Sequence, residues 1–172
     1  MHPNAIADTD AFLAGIKKLE GYQPDWVKTG RGWQFGWSIS DGTGSIVGQL
    51  RFECDLRLQC ISISVIFASH SVTRLDVVPD HHWHENRYGA GALGLEPKIY
   101  GTHIHSWPDN RLWLSRNNTP ELVFCRAVEY PTEDFSATFS MFADEINLTL
   151  EPGQRSVFLP RQGDLFAGGG RS

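Results

Sequence analysis

The stretch Gln49 to Val78, QLRFECDLRLQCISISVIFASHSVTRLDVV, decides the fold class. Leu50, Phe52, Cys54, Leu56, Leu58 and Cys60 alternate with Gln49, Arg51, Glu53, Asp55, Arg57 and Gln59. A period of two puts one set in a core and the other in water, which is the pattern of a half-buried strand. At Cys60-Ile61 the phase slips, and Ile61, Ile63, Val65 and Phe67 then alternate with Ser62 and Ser64. A slip of one residue predicts a bulge or a turn there. Val72 to Val78 reads as a third strand, with Arg74 and Asp76 on one face. That pair reads as a structural cross-strand ion pair rather than as catalytic groups.

Upstream, Trp33, Phe35 and Trp37 interleave with Gln34, Gly36 and Ser38, another strand, and Asp41-Gly42-Thr43-Gly44 is a hairpin turn. The aromatic face reads as core rather than as a stacking platform for bases or sugars. A first helix is expected from Asp10 to Leu19, capped by Thr9 or Asp10, with Phe12, Leu13, Ile16 and Leu19 on one side and Gly21 and Pro24 ending it. Downstream, Arg111 to Leu114 reads as a short strand and 117–120 as a turn; Leu122 to Val128 is too short to divide between strand and helix. A last helix runs from Phe135 to Leu148, capped by Thr132 or Asp134, with Phe135, Phe139, Phe142 and Ile146 inward, and Glu151-Pro152-Gly153 closes it. The expected fold is α+β: an antiparallel sheet of five or six strands with an N-terminal and a C-terminal helix on one face. Residues 1–167 are expected to form a single domain, and 168–172 a flexible tail or expression scar.

Composition bounds the classes. Of 172 residues, 41% are hydrophobic and 20% charged, ordinary values that exclude a disordered chain or a disulfide framework. Membrane spanning needs roughly 20 apolar residues in a row, and no run approaches that. The N-terminus lacks an apolar signal segment, which sets the expectation of a cytoplasmic protein. Cys54, Cys60 and Cys125 are odd in number without a CxxC spacing, which fits reduced, buried thiols. A net charge of −5 makes the whole molecule a poor electrostatic match for nucleic acid. The segment His81 to Arg126 is closer to neutral, with Arg87, Lys98, Arg111, Arg116 and Arg126 against Glu85, Glu96, Asp109 and Glu121.

That segment also carries the chemistry. His81, His82, His84, His103 and His105 lie within it, in two dense halves separated by a glycine-rich loop from Gly89 to Gly101. On a strand, His103 and His105 point to one side and Ile104 to the other. One reading is a zinc, iron or manganese site built from His82, His84, His103 and His105, with Glu85 or Asp109 supplying a carboxylate. Neither the cupin spacing after H-x-H nor an H-E-x-x-H is present. The other reading is metal-free acid-base catalysis on a phosphodiester: His103 and His105 titrate with His82 or His84, Arg87 or Arg111 holds phosphate, and Tyr88 donates a hydrogen bond. A solvated or packing role for the histidines is the bland alternative.

The residues Leu75-Asp76, His84, Asn86, Gly101-Thr102-His103-Ile104-His105 and the helix carrying Phe139, Phe142 and Ile146 resemble those of a family of small uncharacterised bacterial proteins with a Gly-Thr-His-x-His segment. The likeness covers about the central third of the chain, which departs from it in a longer Gly89 to Lys98 insertion and the HHWHE cluster. It implies an accessory protein of the kind linked to toxin-antitoxin or defence loci. The expected function is a histidine-rich phosphate- or metal-handling site, in the form of a small toxin-like nuclease acting on RNA. The alternative is a non-enzymatic factor that meets a protein partner with an acidic and aromatic sheet face. An exposed patch of Trp33, Trp37, Trp83 and Trp107 favours the alternative, and convergence of the histidines favours chemistry.

Overall fold

The computed structural model describes residues 3–30, 32–55, 57–117, 119, 121–131 and 134–160. The alternating stretch forms its centre: β4 (Ile46–Asp55), β5 (Cys60–Phe67) and β6 (His70–Val77) are successive antiparallel strands, with β3 (Trp33–Ser40) on the far side of β4. The phase slip is a turn at 57–59, where Gln59 takes a left-handed φ of 54° and Asp55 Oδ1 accepts from the amide of Arg57. The alternation thus runs past the strand end. Leu58 is exposed, and Leu56 lies outside the described residues.

Short strands extend this centre. They are β1 (Lys17–Leu19), β2 (Val27–Lys28), β9 (His103–His105), β10 (Arg126–Ala127) and β11 (Leu148–Thr149). Among the described residues the sheet has nine strands in the order β10-β9-β6-β5-β4-β3-β1-β11, with β2 beside β3; β1 and β11 are parallel and the other pairs antiparallel. Five or six strands were expected. The excess consists of strands of two or three residues, too short to show a period. A separate two-stranded sheet pairs β7 (Trp83–Glu85) with β8 (Lys98–Tyr100).

The helices differ from expectation in place. Helix α1 spans Pro3–Ala14, not Asp10 to Leu19, and Ile16 is exposed. Lys17 explains where it stops: its buried Nζ turns back and donates to the carbonyls of Phe12, Leu13 and Gly15 at 2.9, 3.0 and 2.6 Å, satisfying the end of the helix. Burial lowers the Lys17 pKa to about 8. Helix α2 (Trp107–Asn117) replaces the strand expected at Arg111 to Leu114. Helix α3 (Phe135–Glu145) begins at Asp134, whose carboxylate accepts from the amides of Ser136 and Ala137; Thr132 lies outside the described residues. It ends before Leu148, which belongs to β11. Between Leu122 and Val128 only Arg126–Ala127 is strand.

One face of the sheet is apolar in register across the strands: Phe35, Phe52, Ile63, Leu75 and Ile104 stand opposite one another. They share one buried cluster with Ile6 and Phe12 of α1, Trp107 and Leu114 of α2, and Phe139 and Phe142 of α3. Phe139 meets Phe52 edge-on at 5.4 Å, and Phe12 stacks on Phe67 at 4.4 Å. The other face is polar and carries the candidate site. Among the described residues no helix is long and apolar enough to cross a membrane.

Candidate metal centre

His103 and His105 lie on β9 with their side chains on the polar face, opposite Asp76 and Arg74 of β6. The β10 register, Arg126 to Ile104 and Ala127 to His103, continues backward to set Cys125 opposite His105. His84 comes from β7. Trp83 and Glu85 of that strand are exposed, and His84 turns inward to ring-centroid distances of 5.4 Å from His103 and 4.8 Å from His105; His103 and His105 are 5.3 Å apart. One donor atom from each of His84, His103, His105 and Cys125 lies within 4.8 Å of the others. His103, His105 and Cys125 are buried and His84 is half-buried.

The segment carrying Cys125 is held by two buried asparagines instead of by a strand. Asn110 Oδ1 accepts from the amides of Val123 (2.7 Å) and Phe124 (2.8 Å), and its Nδ2 donates to Phe124 O and Ser106 O. Asn86 Oδ1 accepts from the Cys125 amide at 2.7 Å while its Nδ2 donates to Cys125 O and Glu96 O. An amide side chain offers the same donor and acceptor as a backbone peptide, so each asparagine acts as a one-residue strand neighbour. His84 is steadied by a hydrogen bond to the Val123 backbone. Gly101, at a left-handed φ of 69° that favours glycine, presents its carbonyl to His103 Nδ1 at 2.8 Å.

Asp76 and Arg74 form the wall of the site. Asp76 Oδ2 lies 3.4 Å from both His103 Nε2 and His105 Nε2 and accepts from Arg74 Nε at 2.9 Å; its Oδ1 accepts from Ser62 Oγ. Burial disfavours the carboxylate, but its contacts with His103 and His105, the Arg74 charge and the Ser62 hydroxyl outweigh it and hold Asp76 well below the usual carboxylate range. Burial lowers the pKa of His105 to about 4 and also lowers that of His84, so both rings are neutral near pH 7. Burial and the Asp76 charge push the Cys125 thiol up to about 12. His105 Nδ1 is buried with no hydrogen-bond partner among the described residues.

Of the expected site residues, the fold brings together His84, His103 and His105. His82 stands apart, with Nδ1 3.4 Å from Cys60 Sγ and its ring against His81. Asp109 is engaged at the start of α2, accepting from Ser106 Oγ and pairing with Arg126 at 2.8 Å. Arg87 pairs with Glu121 and covers the Trp113 ring, Arg111 pairs with Asp10, and the Tyr88 side chain is in solvent. Three participants escaped the sequence reading. Cys125 had no spacing to mark it, and the same-face pair Arg74 and Asp76 looked like an ordinary ion pair. The tryptophans form no shared surface: Trp37 and Trp107 are buried and donate to Glu20 O and Asp10 Oδ1, Trp33 is half-buried, and Trp83 is exposed under Lys98.

Comparison of the chain with protein-family models, with characterised proteins and with solved structures finds no match.

Proposed function

We propose that this chain binds one divalent transition metal, zinc best of all, through His84, His103, His105 and Cys125. The observation that carries the reading is the approach of four donor atoms, from three separate segments, to within 4.8 Å of one another. Zinc–nitrogen and zinc–sulfur bonds of ordinary length put tetrahedral ligands about 3.3–3.6 Å apart, so the site needs to contract by about 1 Å. Imidazole nitrogens and a thiolate are the donors that zinc takes, and the metal's charge supplies what the Cys125 thiol needs to ionise. Asp76, within reach of two of the imidazoles, is the carboxylate that commonly orients metal-bound histidine.

Four protein donors leave no position for a substrate on the metal, so the centre is read as structural. It fastens the β7–β8 sheet and the Cys125 segment to the edge of the main sheet. The RNA-cleavage reading has less support, since Arg87 and Arg111 pair with Glu121 and Asp10 instead of facing the histidines.

The test is elemental analysis of untagged protein after zinc exposure and desalting. Wild type is expected to keep about one zinc per chain, and Cys125→Ser and His103→Ala/His105→Ala to lose most of it with the far-ultraviolet circular dichroism unchanged. A folded wild type that keeps none, or variants that keep all of it, contradicts the reading.

A further inference from the structure

We propose that filling the metal centre releases Arg74 from His105 and so creates, with Arg51, a receptor for a small oxyanion of the phosphate or carboxylate type. The proposal rests on the metal reading above. Arg74 Nη2 lies 2.8 Å from His105 Nε2. A guanidinium only donates, so this contact requires the lone pair of a neutral ring at Nε2. Metal binding removes that acceptor in either possible way. If the metal takes Nε2, the lone pair is used; if it takes the unpartnered Nδ1, the ring proton moves to Nε2 and two donors face each other. In both cases Arg74 Nη2 must leave, while its Nε keeps Asp76 Oδ2.

The register shows what the freed group meets. Gly36, Arg51, Ser64, Arg74 and His105 stand opposite one another in a single row across β3, β4, β5, β6 and β9, all on the polar face. Strands are spaced at about 4.8 Å, so Arg51 and Arg74 flank Ser64 at about 10 Å between their Cα atoms. Arg51 is exposed, and its side chain makes no hydrogen bond or ion pair among the described residues. The Arg74 side chain is 35% exposed, which lets its Nη end turn to the open side of the face. Two guanidinium groups about a serine match the multiple acceptor oxygens of an oxyanion. Glu53, in the next row of β4, opposes it and limits its affinity.

The experiment is isothermal titration of zinc-loaded and metal-free protein with inorganic phosphate, zinc content being checked afterwards, and with acetate as the carboxylate probe. The loaded form is expected to bind phosphate at least about tenfold tighter, the worth of one charged hydrogen bond. Arg51→Gln, which touches no metal donor, is expected to remove about that factor at unchanged zinc content, and Glu53→Gln to tighten binding. Equal phosphate binding by the two forms, or no effect of Arg51→Gln, overturns the proposal. If the chain takes up no zinc, the metal reading fails first, as the elemental analysis shows directly, and this proposal falls with it. Tighter acetate than phosphate binding assigns the receptor to carboxylates.

Discussion

Asp76 keeps its charge in a buried wall because Arg74 and Ser62 donate hydrogen bonds that water would otherwise have supplied. That arrangement ties the histidines to pH. In the metal-free fold burial holds His105 at about 4, against 6.5 for an unperturbed ring. Between those values the unfolded chain binds a proton that the folded chain refuses, so stability is lost as pH falls from 6.5 towards 4. The loss reaches about 3 kcal/mol from His105 alone. Asp76, ionised well below the usual range when folded, adds a further loss in the same direction once pH drops below 3.8. Urea midpoints of metal-free protein at pH 7 and pH 4.5 check this: the midpoint should fall, and a His105→Gln variant should lose less of its stability across the interval. An equal loss in both would place the acid sensitivity elsewhere.

At the scale of elements, the Cys125 segment is the weak point of the design. Among the described residues it has no strand partner up to Cys125, and it depends on Asn110 and Asn86. Asn110→Leu leaves the amides of Val123 and Phe124 unpaired in a buried place, at about 1–3 kcal/mol for each. The expected result is a destabilisation of about 2–5 kcal/mol by urea unfolding, with zinc affinity lowered because Cys125 is no longer held opposite His105. A variant that keeps both its stability and its zinc affinity would show that packing alone fixes the segment. The same physics explains what the sequence made legible. Strands β3 to β6 are long enough for period-two alternation to declare them, and Phe139 and Phe142 declared α3. Helix α2 was invisible because Trp107 to Asn117 is mostly polar, buries only Trp107, Asn110 and Leu114, and sits beside a short apolar run that mimics a strand. The true end of α1 depends on Lys17 reaching backward, which no local pattern encodes. For the site, the two-residue spacing of His103 and His105 predicted their common face. Cys125 and His84 joined them only through tertiary register, and His82 and Asp109 were drawn off by Cys60 and Arg126.

For the whole molecule, the sheet divides labour between its faces. The apolar face takes residues from all three helices and makes the core, which leaves the opposite face free to collect Arg51, Ser64, Arg74, Asp76, His103, His105 and Cys125 in adjoining rows. The most direct measurement is a cobalt(II) titration of the metal-free protein followed by optical absorption, since cobalt takes the same tetrahedral sites as zinc and reports on its ligands. A centre of three histidines and Cys125 should saturate at one cobalt per chain, with intense visible bands of tetrahedral geometry and a near-ultraviolet thiolate-to-cobalt band that vanishes in Cys125→Ser. Weak octahedral bands with no thiolate transition in the wild type would contradict it.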